Sequence, residues 1–488
     1  MIKLNGVQPV WEKSIIDFEN TTANLDIETP IKRELVFECD KPWEGEMHRY
    51  ISVIKDEDKY KMYYLAHFQH DEKVDENDGG NTIMILNSFV CYAESNDAIH
   101  WVKPSLGIHE WNGSKDNNIL LRSVDKPEEG GFFDNFCVFI DTNPACDPSE
   151  KYKALAYMNL YKLGAYVSAD GIHFKHKITF DIPGHFDSQN VCSWDEKTGK
   201  YVAYVRVIHS APPDDLNAGI RGTQKIVSDD FINWSEPEII KFNDNDEYPL
   251  YTNSIRRYYR NPDIFVGFPV RYMERSEWND SFEQLCGKEA RLAKMKFHKR
   301  YSLTVTDCIF MCSRDDLHWD KYDEAIFRPG MEFEGNWTYG NCFNPYFMEE
   351  TVGEYGNKEI SLYVSEYYSD AVLLGNGKGM CDKTYRYTFR RDGFASFKAK
   401  YSGAKVVTKP FVFEGDELYI NFSTSARGSV YITIKDSDGN TAKTCELFGD
   451  SDERRVKLEN ALVSDFSGKT VTMEFEMKDA KLYSFTFR

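Results

Sequence analysis

The stretch SNDAIHW, Ser95–Trp101, decides the fold, because its pattern Ser-x-Asp-x-x-[His/Asn]-aromatic returns three more times along the chain. The other copies are SADGIHF at Ser168–Phe174, SDDFINW at Ser228–Trp234 and SRDDLHW at Ser313–Trp319. Each copy follows a run of alternating β-branched and aromatic residues, which is typical of a strand. Ser and Asp side chains hydrogen-bond backbone groups in turns. The motif therefore predicts a turn that closes one strand of each repeat, with its aromatic residue filling the gap between neighbouring sheets.

The spacing of the motif indicates how many repeats the chain contains. Asp97, Asp170, Asp230 and Asp315 are separated by 73, 60 and 85 residues, and Asp392 in RYTFRRDGFASF follows 77 residues after the last of them. A strand–turn–strand hairpin precedes each turn, and SVIKDEDKYKMYYLA in the first repeat is an example. Long strand-rich repeats are typical of propeller blades. The sequence therefore predicts an all-β protein with a five-bladed β-propeller.

The sequence divides into three parts. Residues 1–35 are expected to form an N-terminal segment that packs on the propeller, and residues 36–395 the five-bladed catalytic domain. Residues 396–488 alternate apolar and polar residues between Gly and Asp turns, which predicts a β-sandwich. One segment departs from this pattern: residues 281–300 favour a helix and are rich in Lys and Arg, so they are expected to be an insertion in the fourth blade.

Composition excludes several classes of function. The 488 residues carry a formal net charge of -20, which argues against nucleic acid and against an anionic membrane surface as partners. No apolar run is long enough to span a bilayer, and the N-terminus lacks the apolar core of a signal peptide. The eleven cysteines are scattered and include no CxxC pair. We therefore expect a cytoplasmic protein with free thiols, no cofactor and no metal, while the oligomeric state stays open.

Carboxylates occur ahead of the innermost strand of every predicted blade. In a propeller these strands converge on one axis, so acids that are distant in sequence meet in one funnel. The acids in this position, from the first blade to the fifth, are Asp40, Glu44 and Glu46; Asp134; Asp187; Asp246 and Glu247; Glu332 and Glu334.

This arrangement resembles the five-bladed propeller glycosidases of clan J, glycoside hydrolase families 32, 43 and 68. In a family-32-like layout, Asp187 falls at the aspartate of an Arg-Asp-Pro motif, and Glu247-Tyr248-Pro249 is similar to a Glu-Cys-Pro motif. Two departures mark an outlying member: the first motif reads Phe-Asp-Ser, and the first blade has no Asn-Asp-Pro-Asn. The resemblance implies a glycoside hydrolase of carbohydrate metabolism that acts on short oligosaccharides, exo-acting on a fructoside or an arabinofuranoside.

Glycoside hydrolysis needs a carboxylic acid that protonates the leaving oxygen and a carboxylate that acts as nucleophile or base. On the resemblance, Glu247 is expected as the general acid and Asp187 as a carboxylate bonded to the sugar hydroxyls. Glu44 is expected as the catalytic carboxylate of the first blade, with Asp40 and Glu46 as alternatives, because a ring beside it at Trp43 suits a sugar face.

Other side chains are expected to contact the substrate. They are Trp43, Asp134, Arg206, Arg271, Trp337, Tyr339 and Glu366. Two other classes of protein stay open: a sialidase-like hydrolase, whose Asp-box turns are similar but contain a Gly-x-Thr that is missing here, and a carbohydrate-binding propeller without catalysis. The sequence determines neither the sugar and its linkage nor the stereochemical outcome.

Overall fold

A computed structural model describes most of the chain. The described residues are 2–45, 47–67, 88–122, 135–158, 162–212, 219–297, 299–333, 335–343, 345–366 and 382–488. Among them, no helix is both long enough and apolar enough to cross a membrane. The ten cysteines within these ranges are free thiols, as predicted; Cys381 lies outside them.

Five sheets form the blades of the propeller, all antiparallel except for one parallel edge strand in the fourth, so the predicted fold class is confirmed. Four strands precede the first blade: β1 (Ile2–Lys3), β2 (Gln8–Pro9), β3 (Asn24–Ile27) and β4 (Ile31–Glu38). The first blade contains β5 (Met47–Asp56), β6 (Lys59–His67), β7 (Ser88–Ser95) and β8 (Ile119–Arg122). The second contains β9 (Phe136–Ile140), β10 (Tyr152–Met158), β11 (Lys162–Ser168) and β12 (Lys175–Phe180). The third contains β13 (Val191–Asp195), β14 (Lys200–His209), β15 (Ile220–Ser228) and β16 (Glu238–Ile239).

The fourth and fifth blades are less regular than the first three. The fourth contains β17 (Lys241–Phe242), β18 (Arg256–Tyr258), β19 (Asn261–Gly267), β20 (Val270–Glu274), β21 (Thr304–Ser313) and β22 (His318–Phe327). The helical insertion between β20 and β21 consists of α1 (Asp280–Gln284), α2 (Lys288–Phe297) and α3 (Lys299–Leu303). The fifth blade contains β23 (Met348–Val352), β24 (Lys358–Glu366) and β25 (Lys383–Arg390), with β4 as its outermost strand. The N-terminal part of the chain therefore closes the propeller ring.

The four motif turns have one hydrogen-bond pattern. In the first copy, Oδ1 of Asp97 accepts hydrogen bonds from the backbone N–H groups of Ile99 at 2.9 Å and His100 at 2.8 Å, and Oδ2 lies 2.7 Å from Nδ1 of His100. The same bonds occur around the other three motif aspartates, with an Asn side chain in place of His in the third copy. The predicted role of the motif as a turn is confirmed.

The motif aromatics also take the predicted place between blades. Phe174 packs with residues of the first and second blades, Trp234 with the second and third, and Trp319 with the third and fourth. Trp101 closes the ring, because its Nε1 donates a hydrogen bond to the hydroxyl of Tyr363 in the fifth blade at 3.2 Å. One large motif side chain thus fills each of four of the five gaps between neighbouring blades.

The fifth motif aspartate, Asp392, has a different role from the other four. It is fully buried, and it accepts hydrogen bonds from the hydroxyls of Tyr258 and of Ser484, the latter at 2.6 Å. Nε of Arg260 lies 3.2 Å from its Oδ1. The chain leaves the propeller here, since the outer strand of this blade comes from the N-terminus. Asp392 therefore joins the fourth blade to the C-terminal domain.

The C-terminal domain is a ten-stranded β structure around one apolar core. Its own strands are β26 (Ala395–Ala399), β27 (Ala404–Val407), β28 (Phe411–Val412), β29 (Leu418–Asp436), β30 (Thr441–Lys443), β31 (Asp450–Val456) and β32 (Thr470–Phe487). Strands β1, β2 and β3 from the N-terminus complete it. The segment 1–35, predicted to pack on the propeller, contacts it through Trp11 but lies mainly in this second domain.

Candidate functional site

The candidate site lies at the upper end of the propeller, which we define as the end where the innermost strands β5, β9, β13, β18 and β23 begin. The predicted carboxylates that are described all precede these strands, so they share this end. Short polar segments lead into the strands because backbone groups there need side-chain partners. Asn190 illustrates this: its Oδ1 accepts a hydrogen bond from the backbone N–H of Arg206 at 3.0 Å.

Arg206, near the upper end of β14, occupies the centre of the site. It is 6% exposed, and its Nη1 lies 3.3 Å from Oδ2 of Asp187, whose side chain is 43% exposed. Its guanidinium lies over the ring of Tyr251 at 5.2 Å. Burial by itself lowers the pKa of Arg206, but Asp187 and the tyrosines Tyr251, Tyr50 and Tyr339 raise it overall. The first, fourth and fifth blades therefore each contribute a side chain around this cation of the third blade.

The tyrosines form a compact aromatic cluster beside Arg206. The ring of Tyr251 stacks on Phe343 at 5.4 Å and on Tyr272 at 5.9 Å. Tyr339 meets the edge of Tyr251 at 5.7 Å and of Phe343 at 5.7 Å, and it is the partly exposed member of the cluster. Aromatic faces of this kind contact the apolar face of a sugar ring. The predicted residues Asp187, Arg206 and Tyr339 are thus brought together.

Arg221 is a member of the site that sequence reasoning missed. It lies on β15, is 5% exposed, and places its guanidinium 4.4 Å from the centre of the Tyr272 ring. Strand pairing sets its position, since Arg221 pairs with Ile208 and Arg206 with Thr223. The hairpin sequence shows an arginine on each of two neighbouring strands, but only the pairing register shows that both side chains lie on the same face.

Glu247 lies at the same end of the third blade, next to a histidine. Its Oε1 is 2.9 Å from Nε2 of His209, the last residue of β14, and its side chain is 38% exposed. Arg206 and His209 are three residues apart on one strand, so their side chains leave opposite faces of the blade. A ligand that touches both Asp187 and Glu247 therefore lies across the open end of the hairpin.

His185 is a second residue that sequence reasoning missed. Burial lowers its pKa below the ordinary value of 6.5, and the nearby Arg206 lowers it further, while Asp187 opposes the effect. Its backbone N–H donates a hydrogen bond to the carbonyl of Arg206 at 3.4 Å. His185 is therefore a neutral imidazole at neutral pH beside the Asp187–Arg206 pair.

Glu44 has the environment of a structural carboxylate. It is fully buried, and its Oε2 accepts hydrogen bonds from the backbone N–H groups of Asp40 and Lys41, both at 2.9 Å. Lys103 donates to the same oxygen at 2.8 Å, and the hydroxyl of Tyr64 donates to Oε1. Both oxygens are thus engaged within the protein, which leaves no surface for a sugar.

The neighbours of Glu44 in its loop also bond to other residues of the protein. Nε1 of Trp43 donates a hydrogen bond to Oδ1 of Asn118 at 2.6 Å, and Asp40 pairs with Lys103 at 2.7 Å. The alternative Glu46 lies outside the described residues. The prediction of a catalytic carboxylate in the first blade therefore gains no support from Glu44.

Three other predicted contacts are engaged with residues other than Arg206. Arg271 forms a bidentate ion pair with Asp307 at 2.7 and 2.6 Å. Glu366 pairs with Lys32 at 2.7 Å and accepts a hydrogen bond from a tyrosine hydroxyl. Trp337 lines a cleft of about 370 Å³ between the helical insertion and the fourth blade. Asp134 and Glu334 lie outside the described residues, and Glu332 lines the same cleft as Trp337.

The sequence matches no protein-family model and no curated protein. Among solved structures, it is similar to a glycoside hydrolase family 43 arabinoxylan arabinofuranohydrolase from Bacillus subtilis, with 12% identity and a TM-score of 0.37, over 94% of this chain and 99% of that one. It is also similar to a family 32 β-fructofuranosidase from Bombyx mori, with 9% identity and a TM-score of 0.36, over 98% and 96% of the two chains. An N-acetylgalactosamine deacetylase from F. plautii has 11% identity and a TM-score of 0.40, over 76% and 94%.

The similar structures thus include glycoside hydrolases, and the five blades followed by a C-terminal β domain confirm the architecture that the resemblance implied. Likeness at this level carries no statement about the chemistry of this chain.

Proposed function

We propose that the protein is a glycoside hydrolase that cleaves short oligosaccharides, with a fructoside or an arabinofuranoside as the sugar released. The observation that carries the proposal is the half-exposed carboxylate of Asp187, which a buried arginine holds beside an aromatic cluster drawn from the fourth and fifth blades. A carboxylate for the reacting carbon and an aromatic face for the sugar are what glycoside hydrolysis requires in one place.

Asp187 is proposed as the carboxylate that faces the reacting sugar. The cation of Arg206, 3.3 Å away, favours the ionised form that a nucleophile, a base or a stabiliser of positive charge requires. The neutral imidazole of His185 adds no competing positive charge at neutral pH.

Glu247 is proposed as the general acid. Its Oε1 lies 2.9 Å from Nε2 of His209, its side chain is 38% exposed, and a carboxylic acid in this position can supply the one proton that a leaving oxygen needs when the glycosidic bond breaks. Because their partners Arg206 and His209 leave opposite faces of β14, the scissile bond would lie across the end of that strand.

The pairing of Asp187 with Arg206 and of Glu247 with His209 also fits a second candidate, a carbohydrate-binding propeller without catalysis. In that case Asp187 and the tyrosines hold a sugar, and Glu247 belongs only to an ion pair at the rim. The two candidates differ in a single property, the consumption of a glycosidic substrate.

A screen of nitrophenyl glycosides and fructo-oligosaccharides, followed by variants, tests the proposal. Glu247→Gln keeps the shape and removes the proton donor, so substrates with poor leaving groups should slow by about 10²–10⁴-fold. Nitrophenyl glycosides need little protonation and should slow much less. Asp187→Asn should slow both kinds of substrate.

Asp246→Asn is the matched control for the acid. Asp246 precedes Glu247 in the same loop, its side chain is 69% exposed, and it lies 3.6 Å from Lys321. This variant should keep the rate on every substrate. Equal slowing of good and poor leaving groups by Glu247→Gln would contradict its role, and no hydrolysis of any glycoside by the unmodified protein would favour the binding propeller.

A further inference from the structure

Two buried arginines lie on one face of the third blade. Because Arg221 pairs with Ile208 and Arg206 pairs with Thr223, the two arginines are diagonal neighbours across β14 and β15. Residues in this relation point to the same side of a sheet, with Cα atoms about 7 to 8 Å apart. We call Arg206 and Arg221 the arginine pair.

The two guanidinium groups lie over two stacked tyrosines. Arg206 covers the ring of Tyr251 and Arg221 the ring of Tyr272, and these rings stack with an angle of 21° between their planes. A tyrosine ring offers a cation attraction but no acceptor for the forked N–H groups. Within the part of the chain that the structure describes, the Nε atoms of both arginines have no hydrogen-bond partner.

Charge is also unbalanced at this place. Asp187 pairs with Arg206, whereas no carboxylate among the described residues forms an ion pair with Arg221. Among the described residues, the two cations of the arginine pair therefore have a single carboxylate partner, in a chain whose formal net charge is -20. A buried cation without a counter-charge is costly, so the position favours an anion from outside the chain.

We propose that the arginine pair binds the carboxylate of an acidic sugar, so that the oligosaccharide recognised by this protein carries a carboxylate. The proposal rests on the proposed function in one respect, namely that the ligand of this site is a sugar. The planar, forked guanidinium matches a carboxylate in two parallel hydrogen bonds, and the tyrosines beside it suit the ring to which the carboxylate is attached. Hexuronic acids and nonulosonic acids share this chemistry.

Binding of single sugars tests the proposal without requiring catalysis. Titration calorimetry would compare galacturonate and glucuronate with galactose and glucose, and N-acetylneuraminate forms a separate arm that distinguishes the two sources of the carboxylate. At least one acidic sugar should bind about tenfold or more tightly than its neutral counterpart, as expected for a charge-assisted hydrogen bond. Equal binding of acidic and neutral sugars, or no binding of any acidic sugar, would overturn it.

Variants locate the effect in the arginine pair. Arg221→Gln should weaken the binding of the acidic sugar by about 10- to 100-fold and leave the binding of the neutral sugar unchanged. Arg221→Lys keeps the charge but loses the fork, so it should retain part of the preference, and it serves if the Gln variant does not fold. Arg328→Gln changes an exposed arginine and is the control. Equal loss of both sugars in the Arg221 variants would mean a structural role and would refute the proposal.

The outcomes also separate this inference from the proposed function. Preferential binding of an acidic sugar without hydrolysis of any glycoside would support the proposal for the arginine pair and contradict the proposed hydrolase function. Hydrolysis of neutral glycosides, with acidic sugars neither bound nor cleaved, would do the reverse.

Discussion

The buried carboxylate of Asp392 should be a sensitive position for the stability of the chain, because it connects three parts of the molecule. It pairs with Arg260 at 3.2 Å, accepts a hydrogen bond from Ser484 at 2.6 Å, and receives another from Tyr258. Its backbone carbonyl also accepts a hydrogen bond from Nε1 of Trp11 at 2.9 Å. One residue thus connects the fourth blade, the C-terminal domain and the N-terminal segment.

Asp392→Asn removes the charge and keeps the shape. Asn tolerates the left-handed backbone at this position, where φ is 54°, so the substitution adds little strain. The cation of Arg260 then loses its buried counter-charge, and breaking a buried pair from one side costs about 3–5 kcal/mol. The free energy of unfolding should fall by this amount.

The matched control is Asp97→Asn, in the corresponding turn of the first blade. An amide oxygen still accepts the backbone hydrogen bonds of that turn, and the carboxylate is half exposed, so the loss should be only about 1 kcal/mol. Urea unfolding followed by circular dichroism and by tryptophan fluorescence measures both variants. A loss for Asp392→Asn no larger than that for Asp97→Asn would refute the reasoning.

Three further predictions concern stability. Burial lowers the pKa of His48 to about 3, with a contribution from a nearby lysine, so below pH 6.5 the unfolded chain binds a proton that the folded chain does not. Stability should fall by about 1.4 kcal/mol per pH unit as the pH drops from 6.5 towards 3, and His48→Gln should flatten this slope in urea midpoints measured at pH 7 and pH 5. Trp319→Ala should cost about 3–5 kcal/mol, because Trp319 is fully buried between blades, whereas Trp101→Ala should cost less; thermal melts compare them. Glu44→Gln should lower the melting temperature and leave the rate of the folded protein on its best substrate unchanged; a rate loss without a stability loss would restore Glu44 as a catalytic residue.

Much of the fold can be predicted from the sequence because the decisive contacts are local. Asp97 bonds groups only two and three residues ahead, so its turn is visible in seven letters, and four copies with a fifth aspartate count the blades. The closure of the ring is not local. Strand β4 pairs with β25, more than 300 residues away, and no turn motif connects them in sequence.

The residues of the candidate site also fall into those that the sequence could predict and those that depend on distant contacts. Asp187 could be predicted because its place ahead of an inner strand depends on the repeat alone. The environment of Glu44 could not be predicted, because it depends on Lys103, which lies 59 residues away in sequence. The hydrogen bond from Lys103 is one of those that engage Glu44 inside the protein, whereas the sequence suggested an acid facing the funnel. Arg221 became a member of the site only through strand register and through Tyr272, a residue of another blade. Position within a repeat is a property of the sequence, whereas burial and charge pairing depend on which distant segments the packed blades bring together.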